Sequence, residues 1–344
     1  DSGTAESPTV IEGIDGEAIL SGGITISNWH KVANTVPGLP ATAKGKVWVA
    51  DAPVIGDETL LFRQLWINNS KAIRARETNA PLMNRILSWD HQAQTCWIPK
   101  PKGINISNIK GMEMFIHQWW AIAILRIKAA ETRGDSVRLS FYQPESRVES
   151  EHPWPAPWIS KKTGNSAFYL SNAIQFLDQS GEWYLDRARR KIYYIPRPGE
   201  DMRTARVTAP YLETLVKMEG TIDNPVKYIS FKNISFQHSS WLLPSRQGLV
   251  PHQAGMYMLD AYKLKVPGTP DKKGLENQAW VGRPAAAVEV AYAGHTGFEG
   301  CRFEHMAATG LDYQRGTHAD LIKGNLFKDI GGTAIQVGMY SDEA

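Results

Sequence analysis

The chain has 344 residues, with 29 Gly, 20 Pro, 12 Trp and only 2 Cys, and a net charge of +3 from 38 basic and 35 acidic side chains. Two cysteines cannot build a disulfide framework or a CxxC zinc site, and so dilute a charge is no nucleic-acid footprint. A chain with 10% aromatic residues is no disordered tail, and no apolar run is long enough for a membrane span. No signal peptide is visible at Asp1-Ser-Gly-Thr-Ala-Glu6 and no Met opens the chain. The last residues follow an apolar run with no capping element, so the chain reads as a piece of a longer protein.

In chain order, Val10 to Ile26 reads as strand, turn, strand, turn, strand, an early rung of a solenoid spanning 1–45. Over 46–209 the texture changes to period-two runs: Val47-Trp-Val49, Gln64-Leu-Trp-Ile67, Met112 to His117, Val137 to Phe141, Glu182 to Leu185 and Lys191 to Ile195. Turns at Asp57-Glu58, Asn68-Asn69 and Arg133-Gly-Asp135 join them, so an inserted antiparallel sandwich is expected. Ala121 to Thr132 has helical propensity, but Ile122, Ile124 and Ile127 lean it toward strand. Pro153, Pro155 and Pro157 form a stiff surface loop. Nine of the twelve tryptophans belong to this insert, leaving Trp29, Trp241 and Trp280 outside it.

From 210 to 344 the solenoid resumes, with a loop insertion at 242–284 whose Lys263 to Asn277 part is a mobile excursion. Phe231-Lys-Asn-Ile-Ser-Phe236-Gln-His238, Phe298-Glu-Gly-Cys-Arg-Phe303-Glu-His305 and Ile322-Lys-Gly-Asn-Leu-Phe327-Lys-Asp329 align, with 67 and then 24 residues between equivalent positions. Short strands and glycine turns at this period predict an all-β, right-handed parallel β-helix. The triplets Val288-Glu289-Val290, Leu311-Asp312-Tyr313 and Ile335-Gln336-Val337 point their outer members inward and stack Glu289, Asp312 and Gln336 outward.

Two stacked carboxylates repel, and paired carboxylates are what glycoside hydrolysis uses. Asp312 is assigned as nucleophile and Glu289 as acid/base, against the bland reading of a solvated face. Substrate contacts are assigned to Gln336, to Trp241 as a sugar-stacking ring, to His252 and Gln253 in the loop, and to the stacked His305 and Asp329. Trp119 and Trp120 beside His117 are further candidates. Asn325 reads as a turn residue bonding the next rung, and Cys301 as a small buried side chain. No metal and no cofactor are expected, because Asp312, Asp320 and Asp329 do not cluster like a calcium loop.

Phe176-Leu-Asp-Gln-Ser-Gly-Glu-Trp-Tyr-Leu-Asp186, Ile192-Tyr-Tyr-Ile-Pro-Arg-Pro-Gly199, Ser21-Gly-Gly and Leu65 to Arg76 resemble bacterial β-helix glycoside hydrolases of family 141. The family 120 β-xylosidases are architectural cousins. The resemblance implies hydrolysis of plant cell-wall glycans carrying fucosides or xylosides, an oligo- or polysaccharide substrate, and a secreted or periplasmic location. The alternatives are a polysaccharide lyase on the same fold and a non-catalytic glycan-binding solenoid.

Overall fold

The computed structural model describes residues 2–79, 83–102, 106, 108–152, 156–261 and 281–339. The Lys263 to Asn277 excursion, Pro153 and Pro155 of the proline loop, and Trp280 lie outside the described residues.

The chain is built chiefly of short strands. Three four-stranded parallel sheets organise its ends. Sheet 1 contains Thr9–Glu12, Ile229–Lys232, Gly297–Glu299 and Leu321–Lys323. Sheet 2 contains Ala18–Ser21, Ile234–Gln237, Arg302–Met306 and Leu326–Ile330. Sheet 3 contains Val216–Glu219, Ala286–Ala291, Thr309–Tyr313 and Ile335–Val337. From Val216 onward the chain visits sheets 3, 1 and 2 in the same order each time.

The registers put like on like. Phe231 lies opposite Phe298 and Phe298 opposite Ile322. Phe236, Phe303 and Phe327 form a second row, with ring centroids 4.9 and 4.7 Å apart. Such stacking adds to the burial of each ring, and these rings fill the core between the sheets.

The bends between strands repeat as faithfully. Tyr228, His295 and Ala319, then Asn233, Gly300 and Gly324, then His238, His305 and Asp329 all take positive φ. Each set is spaced by the same 67 and 24 residues. Asn325 supplies the bond between repeats expected of it: its Oδ1 accepts the Cys301 N–H at 2.7 Å and its Nδ2 donates to Phe298 O at 2.7 Å. Cys301 is buried beside Phe231.

Between Ser21 and Val216 the sheets are mainly antiparallel and lie in three layers rather than the two of a simple sandwich. A seven-stranded sheet runs through Asn84–Arg85, Ala167–Ser171, Glu113–His117, Ile122–Arg133, Ser136–Phe141, Thr95–Pro99 and Ser88–Asp90. A five-stranded sheet holds Ile73–Arg74, Glu182–Asp186, Lys191–Tyr194, Trp48–Asp51 and His30–Lys31. A four-stranded sheet holds Gly23–Ile26, Val207–Pro210, Trp66–Ile67 and Ser70–Lys71. The middle layer is buried on both faces: Val49 and Tyr193 pack with Met114 and Leu125 of the first sheet. Their neighbours Ala50, Ile192 and Tyr194 pack with Ile67 and Val207 of the third.

Two expectations change here, at Gly23–Ile26 and at the Asp57 turn, and others hold. Gly23–Ile26 does not join the repeat but pairs antiparallel with Val207–Pro210. The two strands press so closely that a Cβ at Gly23 would sit 2.4 Å from Thr208 Cγ2. The turn near Asp57 is centred on Gly56-Asp57, with Gly56 at φ 60° and Glu58 already in a strand. Asn68 and Asn69 are both left-handed, as a two-residue hairpin turn requires. Ile122–Arg133 is one long strand, with a bulge between Ile127 and Ala129 that lets it pair with both neighbours. In the Gly-Glu-Trp-Tyr-Leu-Asp run, buried Glu182 accepts the N–H groups of Asp178 and Gln179 at 3.1 Å each. Glu182 is thus structural, and burial pushes its carboxyl up to about 7.

Candidate active site

The outward row of sheet 3 is Lys217, Glu289, Asp312 and Gln336, each directly opposite the next. Their inward neighbours Val288, Val290, Leu311 and Tyr313 lie in the core. Parallel neighbours stand about 4.8 Å apart, so the row sets carboxylates side by side without special arrangement.

A cleft of about 540 Å³ opens over this row, lined among others by Glu213, Trp241, Tyr257, Arg283, Glu289 and Gln314. Glu289 is half-buried, and its Oε1 accepts the Thr214 hydroxyl at 3.2 Å. Asp312 lies beneath the cleft with 1% exposure, under Arg283 and Gln314. Arg283 Nε donates to its Oδ2 at 2.7 Å, Nη2 bonds Oδ1, and Gln314 Nε2 donates to Oδ2 at 3.1 Å. The expectation of two exposed, mutually repelling carboxylates is therefore corrected: a guanidinium has taken Asp312 as its partner, which offsets the like charge beside it.

A third carboxylate, Glu213, shares the cleft and accepts the Leu242 N–H at 2.9 Å. Trp241 lines the cleft with Tyr257, their ring centroids 6.0 Å apart at 53°. Glu213, Tyr257, Arg283 and Gln314 carry no repeat signal, and the sequence reading did not single them out.

The remaining assigned residues do not line this cleft. His252 is 4% exposed, folded under a turn in which its N–H bonds Met256 O at 2.9 Å. That burial removes it from any open sugar site. Gln253 is exposed on the same turn, its carbonyl taken by Met256. Gln336 reaches back to Met256, with Nε2 2.9 Å from Sδ. Trp119 and Trp120 sit exposed in the hairpin turn closed by Gln118 and Ala121, with Trp119 5.4 Å from Trp158.

His305 and Asp329 belong to sheet 2, and His305 lines a separate polar groove of about 560 Å³ with Gln237, Arg302, Glu304 and Lys328. His305 Nδ1 and Asp329 Oδ2 are 2.8 Å apart, and His238 stacks on His305 at 5.1 Å. Trp66, which the sequence left among strand residues, donates its indole N–H to Asp329 at 2.7 Å, and Lys71 adds a contact at 3.2 Å. Burial works to raise the Asp329 carboxyl, but His305, Trp66 and Lys71 outweigh it and hold it far below the usual range. Asp329 is thereby committed to internal partners, three elements locked on one carboxylate.

Comparisons with known proteins agree with this architecture. Residues 45–197 match the GH141 insertion domain. Over its whole length the chain resembles a solved glycoside hydrolase: 42% identity, covering 100% of this chain and 57% of that one, with a TM-score of 0.87. The chain therefore spans little more than half of that protein. A second structure, described as the complex of XylC with xylose, reaches 11% identity over 94% of this chain and 55% of that one. Its TM-score of 0.24 is too low to carry an argument. No curated protein matches the chain.

Proposed function

We propose that the chain is the cleft-bearing part of a glycoside hydrolase and that its parallel sheets form a right-handed β-helix. The observation that carries the reading is the cleft itself: Trp241 and Tyr257 face Glu289 and Glu213 above the Asp312–Arg283 pair. Aromatic rings offer a flat apolar face to a pyranose, and carboxyl groups about 5–5.5 Å apart serve as nucleophile and acid/base in a retaining mechanism. Glu289, whose hydrogen bond among the described residues comes from the Thr214 hydroxyl, suits the proton donor. Asp312, matched by a guanidinium, suits the negatively charged partner, and Arg283 must swing aside for a sugar to reach it. The likeness to a glycoside hydrolase at 42% identity supports the reaction class. A fucoside- or xyloside-bearing cell-wall glycan as substrate, and export from the cell, rest on the family 141 resemblance.

The test uses the purified full-length protein with aryl fucosides, aryl xylosides and cell-wall oligosaccharides. Glu289→Gln and Asp312→Asn are each expected to lose about 10²-fold or more in turnover. Wild-type turnover in both variants would sink the assignment. Loss of activity with chelator, together with an unsaturated product, would mark a lyase instead.

A further inference from the structure

The cleft has a wall that the parallel sheets do not build. The short helix Leu243–Gln247 contributes Leu243, Arg246 and Gln247 to the lining. Every anchor of that helix described below comes from the inserted sheets or the segment joined to them.

Several contacts with the inserted segment fasten it, beside the bond from the Leu242 N–H to Glu213. Arg63 Nη1 donates to Ser245 Oγ at 2.6 Å, while the same guanidinium grips buried Glu113 at 2.7 and 2.9 Å. Arg74 adds a third bond to Glu113 at 2.8 Å. Burial works against the charged Glu113 carboxyl, but the two arginines outweigh it and hold it below its usual range. Arg126, paired with Glu145 at 2.6 Å, donates through Nη1 to the Arg246 carbonyl. Leu249 and Ile124 exchange both backbone bonds at 2.8 Å, so the chain after the helix adds to the seven-stranded sheet. Gly248, at φ 70°, lies against Glu145: a Cβ there would fall 2.5 Å from Glu145 Cγ.

We infer that the inserted domain sets the width of the cleft, with Arg63, Ser245 and Gly248 as positioning residues that hold the Leu243–Gln247 wall opposite Glu289. The inference rests on the glycosidase reading for its substrate, an oligosaccharide longer than one sugar, but its geometry can be read independently. Buried ion pairs of this kind cost heavily when broken, which makes the wall a fixed surface rather than a loop that follows its ligand.

Two substitutions and one conservative control test it in the full-length protein. Gly248→Ala displaces the wall from Glu145, and Ser245→Ala removes the Arg63 contact, while Ser245→Thr keeps the hydroxyl. Gly248→Ala is expected to raise KM for an oligosaccharide about ten-fold with kcat within about two-fold, the mark of lost uniform binding. Amide exchange over 242–249 is expected to accelerate about ten-fold, with Phe236 and Phe303 amides unchanged. Ser245→Ala follows in the same direction and Ser245→Thr restores wild-type values. Unchanged exchange over 242–249 overturns the inference, as does an active enzyme whose KM ignores a loosened wall. A wild-type protein that cleaves no glycoside, with exchange as expected, overturns the glycosidase reading and leaves the wall standing.

Discussion

Replacing Arg283 by Met removes the guanidinium over Asp312 while preserving much of its aliphatic bulk. The carboxylate has 1% exposure. It would keep one donor, Gln314 Nε2 at 3.1 Å, and lose the paired donors of Arg283, one of them at 2.7 Å. Breaking a buried pair from one side costs about 3–5 kcal/mol, because the remaining charge stays desolvated. Arg283 itself is only partly exposed, at 15% of its side chain, so solvent screening discounts the figure little. Asp312→Leu alone strands the arginine instead, which can turn toward the cleft and water, so about 1–2 kcal/mol is expected. The double variant removes both charges and should recover most of the Arg283→Met loss. The assay is a double-mutant cycle by urea unfolding at neutral pH, with a coupling of about 2 kcal/mol or more expected. Additive single effects, or an Arg283→Met cost below about 1 kcal/mol, would refute the claim that this pair secures the cleft floor.

Two further predictions concern the repeat. Asn325→Ala leaves the Cys301 N–H and the Phe298 carbonyl without their side-chain partner, and should cost about 2–3 kcal/mol by denaturant midpoint; a loss under about 0.5 kcal/mol would contradict it. His238 is pushed down to about 4, by burial first and then by the nearby His305 and Arg206 charges. An unfolded imidazole takes its proton near pH 6.5, so between about 6.5 and 4 the unfolded chain binds the extra proton. Stability should therefore fall as pH drops through that window, by about 3 kcal/mol at full extent, and stay flat on either side of it as far as this group is concerned. Comparing unfolding at pH 7 and 4.5 in wild type and His238→Gln checks it, and an undiminished slope in the variant would sink it.

Much of the repeat was legible because identical side chains stack at one spacing. Phe303 and Phe327 are 24 residues apart and meet at 4.7 Å, so a pattern search along the chain finds a true contact. The same holds for Glu289, Asp312 and Gln336, whose register follows from the apolar residues flanking them. The cleft was less legible. Trp241 stood out as an isolated aromatic, but Arg283 reaches Asp312 from a segment outside the repeat. Trp66 meets Asp329 across 263 residues. His252 looked like a loop ligand, and only its turn shows it to be buried.

The sequence alone determined the period, the register among the aligned repeats from Phe231 to Val337 and the strand-rich character of the insert. These depend on side-chain alternation and on residues stacking upon their own equivalents, and both are written locally. Tertiary structure decided which outward residues face an open cleft, because that depends on what packs over them. It covered Asp312 with a guanidinium and bound Asp329 to an indole, while leaving Glu289 and Trp241 open to the cleft. It also laid the inserted sheets in three layers, since Ala50 and Ile192 are buried against a sheet that brings Gly23–Ile26, Trp66–Ile67 and Val207–Pro210 together. Charge and burial are settled between distant segments, and no local pattern records them.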